Sequence, residues 1–436
     1  MQIAGIISEF NPFHNGHKYI IDKIKEENDC LVTVMSGNFV QRGEPAFLDK
    51  HPRAHAALKS GVDLVVELPS PWSASFAGNF AFGAVSLMKE LGINSLYFGS
   101  ETSNVDELEK IAEIDAEIKP GLFGGVTFAK ARQNELSKIK DVDISILKGA
   151  NNNLAIEYIK ARNKLECDFQ VKCFERMDAQ HDSEIKSDSI CSASYLRSNF
   201  TSENALKYIP VEAYSITNNE ISNGYYLDYD KFQLAVITYL RRFKNFESLP
   251  DISEGIENKL KKEILNAKDY NELIFAIKSK RYPLARIRRL VLSAFLEIDD
   301  EYTLEPVPYI NVLGMTKRGE EIIKAIASTS PIPIIMSGKS SKPLDNKAEL
   351  LLNSEYIRND VYSSLLKNPY PCGRDFKSRI IKIWKVNYEN YNYWLQKLWQ
   401  MFANYQWNYR ACGNIGCWPK NSSFFFCGWQ KYFAQQ

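Results

Sequence analysis

The sequence predicts an α/β protein with a doubly wound parallel sheet, followed by a mostly helical C-terminal domain. Three observations lead to this fold class. Apolar, β-branched runs alternate with helical stretches over residues 3–174. The first run leads through a turn directly into the start of a helix. From about residue 200 onward the apolar spacing becomes mostly helical, which marks a second domain.

The individual strands are assigned from short apolar runs bounded by turn residues. In the first domain the predicted strands are residues 3–7, 30–35, 63–68, 91–98, 144–147 and 171–174. Helical spacing starts at residue 14 and recurs at 83–90 and 154–161. In the second domain, strands at 309–315 and 331–336 flank a helix that ends near residue 328, and a last helix covers 348–366.

Length and composition limit the classes of protein to consider. A chain of 436 residues has room for two or three domains, which we place at 1–200, 201–378 and 379–436. With 45% hydrophobic and 25% charged residues, the composition is ordinary for a soluble globular protein. The start lacks the basic residues of a signal peptide, and no apolar run approaches the roughly 20 residues of a membrane helix. We therefore expect a cytoplasmic protein that does not enter a membrane.

Cysteine and histidine usage gives no metal site. The eight cysteines include no CxxC pair, which indicates buried thiols in a reducing compartment. His51 and His55 are four residues apart and could share a helix face as metal ligands, but a solvated or capping pair is the commoner arrangement. We predict no protein-bound metal.

The first strand-to-helix junction carries residues suited to binding phosphate. After the turn-forming Asn11-Pro12 pair come His14, Gly16 and His17, where helical spacing begins. Backbone N–H groups and the positive end of the helix dipole meet there and attract anions. The two histidines share a helix face, and Gly16 lets a phosphate approach the backbone closely. Their N–H groups would stabilise charge on a leaving pyrophosphate; the alternative is that they only cap the helix.

Three further stretches could bind anions. Ser36-Gly37-Asn38 follows the second strand, where ligands gather in open α/β sheets, although an ordinary turn is the alternative. Arg42, Lys50 and Arg53 follow and could meet phosphate or RNA, or form a charged helix face. Farther on, Ser192, Ser194 and Arg197 combine helix-start hydroxyls with a guanidinium that could hold the β and γ phosphates. A plain N-cap is again the alternative.

Basic residues concentrate in the helical half, although the net charge of the whole chain is only +1. Nine lysines and arginines lie in residues 239–244 and 278–290, with aromatic residues between them. Such side chains neutralise phosphates and stack on bases, so we expect RNA to dock there; a solvated basic face is the alternative. The predicted RNA-binding residues are Arg241, Arg242, Lys278, Lys280, Arg281, Arg286, Arg288 and Arg289.

The HxGH signature on a first strand-to-helix junction resembles the nucleotidyltransferase superfamily, whose catalytic domain is Rossmann-like. Four stretches together resemble the bacterial tRNA(Met) cytidine acetate ligase family: IISEFNPFHNGH, SGNFVQRG, DLVVELP and FGSE, at residues 6–17, 36–43, 63–69 and 98–101. The resemblance extends to about Phe376. Residues 379–436 match nothing expected of the family; they hold six of the seven tryptophans and no Asp or Glu after Glu389.

The resemblance implies which residues bind ATP and catalyse. His14, His17, Ser192 and Arg197 would be catalytic, and a histidine-aspartate pair of the family matches His181-Asp182. The implied ATP-binding residues are Ile7, Ser8, Glu9, Phe10, Asn11, Pro12, Phe13, His14, Asn15, Gly16, His17, Lys18, Tyr19, Ile20, Gly99, Asn151, Asn152, Arg176 and Met177.

The resemblance also implies an activity and its partners. The family uses ATP, with Mg²⁺, to form acetyl-adenylate from acetate, and then acetylates N4 of the wobble cytidine of elongator tRNA(Met). Two other functions fit parts of the sequence. A metabolite adenylyltransferase would share the chemistry of the first domain, and a non-catalytic RNA-binding protein could keep a relic nucleotide site.

Overall fold

The fold is organised around one large sheet. The computed structural model describes residues 1–117, 132, 134–138, 143–175, 191–200, 203–279 and 281–384. Residues Met1–Trp384 form one compact unit. Its strands are β1 (Ile3–Ser8), β2 (Cys30–Ser36), β3 (Phe39–Val40), β4 (Glu44–Pro45), β5 (Leu64–Leu68), β6 (Ser95–Ser100), β7 (Gln170–Glu175), β8 (Ile310–Thr316), β9 (Ile334–Met336), β10 (Lys339–Ser340) and β11 (Ile381–Ile383).

The sheet has the order β10-β9-β8-β5-β2-β1-β6-β7, and β11 also pairs with β8. The five strands from β5 to β7 in this order run parallel, so their carboxyl ends lie at one edge of the sheet. Every residue of β2 and β5 is buried, because helices cover both faces. Within β2, Val32 and Val34 face one hydrophobic cluster, while Leu31 and Met35 face another.

The predicted α/β class is confirmed, with a mixed rather than a purely parallel sheet. Helix α1 covers Asn15–Glu27 and α2 covers Lys50–Lys59. In the part of the first half that the structure describes, the other α-helices are Ser70–Ser73, Ala77–Glu90, Val105–Glu117, Ala150–Lys164 and Ala193–Asn199. Those that follow are Glu203–Leu206, Val211–Ser222, Tyr229–Leu240, Ile256–Asn266, Tyr270–Ile277, Leu284–Phe295, Lys317–Ile326, Asn346–Ser364 and Arg374–Lys377. None of the helices in the described part of the chain is long and apolar enough to cross a membrane.

One predicted strand is wrong. Residues 144–147 lie in a 3-10 helix, Ile144–Lys148, which leads into the helix Ala150–Lys164. The Asp143 side chain accepts a hydrogen bond from the backbone N–H of Ser145, 2.8 Å away, and this contact starts the helical turn. A four-residue apolar run fits a buried helical turn as well as a strand, so only the tertiary context decides.

The strand-helix-strand unit of the second half joins the first-half sheet. β8 runs antiparallel to β5, and the register shifts between Val65 and Val66. β11 lies beyond residue 378, so the sheet includes the start of the segment that we separated as a tail. The helices between 227 and 298 form their own hydrophobic cluster, which also takes in Phe39 and Tyr362. The domain boundaries at 200 and 378 stay predictions.

Candidate active site

Two histidines cap the first helix reciprocally. His14 is the N-cap of α1, and its Nδ1 accepts a hydrogen bond from the Gly16 N–H at 3.1 Å. The Nδ1 of His17 accepts one from the His14 N–H at 3.2 Å, and the two rings stack 3.8 Å apart. Because both Nδ1 atoms are acceptors, each neutral imidazole carries its proton on Nε2. The capping role predicted as the alternative therefore coexists with a pair of oriented N–H donors.

Aromatic packing holds this pair against the preceding loop. The ring of His17 lies 5.0 Å from that of Phe10 and 5.6 Å from that of Phe13, measured between centroids. Both phenylalanines are buried, and Phe10 has a left-handed backbone conformation with a φ of 47°. An L-residue adopts this conformation only where the surroundings enforce it, so buried packing fixes the path from β1 to α1.

The second predicted motif contacts this loop. Ser192 is the N-cap of the helix Ala193–Asn199, and its hydroxyl lies 3.0 Å from that of Ser194. One guanidinium nitrogen of Arg197 donates to the backbone carbonyl of Asn11 at 2.8 Å, and another lies 3.6 Å from a Glu44 carboxylate oxygen. The fold thus brings Arg197 to the loop that leads into the histidine pair.

Arg53 is a structural residue, not the phosphate or RNA contact that we considered. It lies on α2, is only 1% exposed, and donates to the backbone carbonyls of Leu48, Glu9, Ser36 and Gly37. These carbonyls come from the ends of β1 and β2 and from the approach to α2, so one side chain ties the three segments together. Sequence patterns did not reveal this role, because a buried arginine and an exposed one have the same neighbours along a helix.

Lys50 is also internal. Its ammonium group is fully buried, 2.7 Å from a carboxylate oxygen of Glu67 and 2.8 Å from one of Asp375. Asn311 donates a further hydrogen bond to Glu67 at 2.6 Å. The Lys50 cation therefore links α2 and β5 to the C-terminal helix Arg374–Lys377 rather than facing a ligand.

Glu9 is a carboxylate in the loop that leads from β1 to α1. It follows β1 directly, and its Oε1 accepts a hydrogen bond from the Gln41 N–H at 3.0 Å. Burial raises the pKa of Glu9, although this hydrogen bond and the charges of Arg42 and Arg197 oppose the shift. Arg42 is exposed in the turn between β3 and β4 and is a cation available near this carboxylate.

The other predicted nucleotide contacts lie at the same edge of the sheet. Ile6 of β1 pairs with Tyr97 of β6, so Gly99 lies level with Ser8, two residues farther along. Asn152 is buried and its Oδ1 accepts from the N–H groups of Glu101 and Thr102, at 2.8 and 3.2 Å. Its amide therefore holds the chain that leaves β6.

Glu101, which follows β6, is bound in turn by the start of the helix Ala150–Lys164. Its carboxylate accepts from the backbone N–H of Asn151 and Asn152, at 3.0 and 2.6 Å, and from the Asn151 side chain at 2.7 Å. Although burial disfavours the charged form, these hydrogen bonds lower the pKa of Glu101. Of the remaining predictions, Arg176, Met177, His181 and Asp182 lie outside the described residues.

The predicted RNA-binding residues divide into three groups. Arg241, Arg242, Lys278 and Arg281 are exposed. Arg286 and Arg289 lie within ion-pair distance of Asp251, at 3.4 and 3.8 Å, and Arg286 also lies 3.2 Å from Glu254. Arg288 is partly buried, and Lys280 lies outside the described residues.

An open groove of about 710 Å³ includes one member of the exposed group. Arg242 lines it together with the aromatic rings of Tyr239, Phe243 and Phe295. The neighbouring helix, Leu284–Phe295, meets the turn before β4: a Cβ added at Gly43 would lie 2.5 Å from the backbone nitrogen of Arg289. The helical half therefore contacts the turn that supplies the Gln41 N–H to Glu9.

Known proteins of one family resemble this chain over most of its length. Residues 1–376 match the family model described as HIGH Nucleotidyl Transferase. A tRNA(Met) cytidine acetate ligase from Thermoanaerobacter sp. (strain X514) is 38% identical over 402 residues, which cover 88% of this chain and all of the relative. One from Clostridium novyi (strain NT) is 37% identical, covering 84% of this chain and 96% of the relative.

Solved structures agree. The apo crystal structure of Thermotoga maritima TmcAL superposes with a TM-score of 0.81 at 28% identity, covering 88% of this chain and 100% of the other. The crystal structure of the same protein bound with alpha-thio ATP gives a TM-score of 0.80. The family model, the two relatives and the shared fold each cover most of the chain. The chain belongs to the tRNA(Met) cytidine acetate ligase family, within the HIGH nucleotidyl transferases.

Proposed function

We propose that the protein is an ATP-dependent ligase that joins acetate to N4 of the wobble cytidine of elongator tRNA(Met). The observation that carries this proposal is the reciprocal capping of His14 and His17, with Arg197 bound to the loop before them. Oriented donors at a helix N-terminus suit the transfer of an adenylyl group, which needs chiefly positioning and charge stabilisation. The substrates in this proposal are those in the name of the relatives, tRNA(Met) cytidine acetate ligase.

In the first step, a carboxylate oxygen of acetate attacks the α-phosphorus of ATP, and the bond to pyrophosphate breaks. The Nε2–H groups of His14 and His17 donate to phosphate oxygens as negative charge grows on the leaving group. The first turn of α1 adds its dipole. The hydroxyls of Ser192 and Ser194 and the guanidinium of Arg197 hold the β and γ phosphates.

In the second step, the N4 amine of cytidine attacks the carbonyl carbon of acetyl-adenylate, and AMP leaves. The product is N4-acetylcytidine. Exposed cations of the helical half guide the RNA; Arg241, Arg242, Lys278 and Arg281 are the residues that we assign to this task, and Arg242 lines the groove beside Tyr239. Arg286 and Arg289 neutralise Asp251 and act there chiefly in folding.

The described residues that we assign to the nucleotide lie at this same edge of the sheet. Gly99 lets the nucleotide lie against β6, while Asn151 and Asn152 shape the adjoining loop; Arg176 and Met177 complete the set by resemblance. Mg²⁺ would enter with the phosphates of ATP, because it usually keeps several waters and few protein ligands. Among the described residues, no group of three His, Cys, Asp or Glu side chains lies together in a way that could hold a metal. The cytoplasmic location stays a prediction.

One assay tests this function. Purified protein is incubated with ATP, labelled acetate and elongator tRNA(Met), and the digested RNA is analysed for nucleosides. We expect acetylated cytidine that requires all three substrates, and pyrophosphate exchange that requires acetate but no RNA. Exchange that ignores acetate but responds to a metabolite would favour a metabolite adenylyltransferase. RNA binding without any exchange would favour a non-catalytic protein.

A further inference from the structure

We propose that Glu9 accepts the proton from the attacking cytidine amine in the second step. This role rests on the proposed function and identifies a base for a reaction that the histidine pair does not explain. Three features of Glu9 support this role: its fixed position, its oxygen Oε2, and the charges around it.

Glu9 is held by two hydrogen bonds and by the packing of the residue that follows it. Its backbone carbonyl accepts from a guanidinium nitrogen of Arg53 at 2.6 Å, and its Oε1 accepts from the Gln41 N–H at 3.0 Å. The next residue, Phe10, is buried in the core. A side chain fixed in this way has little rotamer freedom left to lose when it meets a substrate.

The second carboxylate oxygen is available to a ligand. Oε2 of Glu9 has no hydrogen-bond partner among the residues that the structure describes. The residue as a whole is only partly buried. Glu9 therefore presents one acceptor oxygen at the carboxyl end of β1, in the loop that leads to His14.

The chemistry of the substrates indicates which group would bind Oε2 of Glu9. Acetate and the triphosphate are anions, which a carboxylate repels, whereas the nearby Arg42 and Arg197 attract them. A carboxylate needs an N–H or O–H donor, and the cytidine amine is a donor that must also lose a proton. The adenine amine and the ribose hydroxyls are donors too, and the experiment below separates them from cytidine.

The charges facing Glu9 come from four elements. Arg42 and Glu44 lie in the turn and strand next to it, Arg197 on the helix Ala193–Asn199, and Arg53 on α2. Burial raises the pKa of the Tyr158 phenol, on the helix Ala150–Lys164, and the charge of Glu9 adds to this shift. Burial makes Glu9 a stronger base than an ordinary carboxylate, although Gln41, Arg42 and Arg197 moderate the shift.

The step balances as follows. The N4 lone pair forms the new bond to the acetyl carbon, and the carbonyl electrons move onto oxygen. When they return, the bond between the acetyl carbon and the AMP oxygen breaks, and AMP leaves with that electron pair. The proton lost from N4 passes to Oε2 of Glu9 and then to solvent.

The test compares Glu9→Gln with wild type in two assays, acetate-dependent pyrophosphate exchange and single-turnover acetyl transfer to tRNA(Met). We expect transfer to fall about 100-fold, the size of a general-base contribution, and to fall much further than exchange. The wild-type transfer rate should rise with pH as Glu9 ionises, and the variant should lack this rise. Glu9→Asp keeps a carboxylate and should restore part of the pH dependence.

A matched control is Glu26→Gln, which removes an exposed carboxylate from α1. It should leave both rates unchanged. Equal losses of exchange and transfer in Glu9→Gln, or a raised KM for ATP alone, would assign Glu9 to the nucleotide and overturn the proposal. Wild-type transfer rates in Glu9→Gln would overturn it as well. Absence of exchange and transfer in the wild-type protein would instead contradict the proposed function, and the role of Glu9 with it.

Discussion

The junction between β1 and α1 and the basic helices around residues 241–289 were both predicted from the sequence as binding regions, yet the fold treats them differently. At the junction, His14 and His17 cap one another, and the residues that hold them are within hydrogen-bond or ring-contact distance. In the basic helices, Arg286 and Arg289 are paired with Asp251, which lies far from them along the sequence.

The difference teaches where sequence motifs are reliable guides to function. Anion binding at a helix start depends on backbone groups that the local sequence creates, so the motif and the site coincide. Charge on a helix surface acts on a partner only if no other side chain neutralises it first. Whether such a side chain exists depends on tertiary structure.

The largest loss of activity is expected from a change at the junction between β1 and α1. His17→Ala removes one oriented donor and the ring that packs on Phe10 and Phe13, so acetate-dependent pyrophosphate exchange should fall about 100- to 1,000-fold. Affinity for tRNA(Met), measured by filter binding, should be nearly intact. His55→Gln, which removes a partly exposed histidine on α2, serves as the control and should keep both activities. Equal loss of exchange and RNA affinity in His17→Ala would contradict the separation of the two regions.

Arg53→Met tests whether the first region depends on internal support. The change removes the donor from four backbone carbonyls, of which that of Glu9 is only partly buried, and each unsatisfied buried group costs about 1–3 kcal/mol, reduced where water enters. We expect the free energy of unfolding in urea to fall by about 3 kcal/mol or more. Arg42→Met, at an exposed arginine nearby, should leave stability unchanged. Unaltered stability in Arg53→Met would refute its role as a clamp.

Two charge reversals compare an exposed arginine with a paired arginine in the basic helices. Arg242→Glu alters an exposed cation and should weaken tRNA binding by about 1 kcal/mol for each phosphate that the side chain no longer neutralises, with a shallower dependence on salt. Arg286→Glu instead places a third carboxylate beside Asp251 and Glu254, so it should chiefly lower stability. Salt-dependent binding and urea unfolding of both variants decide the matter. The reverse outcome would return Arg286 to the RNA-binding surface.

The smallest expected effect concerns Glu101, which caps the helix Ala150–Lys164. The pKa of Glu101 is lowered in the folded protein, so its ionised form contributes stability above the pKa of the unfolded chain, and this contribution is lost as the pH falls through the folded value. Glu101→Gln should therefore be less stable than wild type at neutral pH, by about 1 kcal/mol as for a lost cap. Urea unfolding should show this gap closing in acid. A constant gap would mean that its charge does not matter.

The sequence by itself determined the features that depend on near neighbours. Alternating apolar runs gave the strands β1, β2, β5, β6 and β7, and turn residues followed by helical spacing gave the start of α1. The histidine pair, the serine and arginine motif and the family were all visible in residues close together in the chain. Local backbone chemistry dictates these features, so they need no knowledge of distant segments.

Tertiary structure decided whatever requires contact between distant segments. It turned residues 144–147 into a helical turn, set β8 antiparallel to β5, and drew β11 into the sheet. It buried Arg53 among backbone carbonyls and fixed one carboxylate oxygen of Glu9 through the Gln41 N–H. The physical reason is that hydrogen bonding and desolvation act on whichever groups the fold brings together, and a polar side chain has the same identity in the sequence whether it ends buried or exposed.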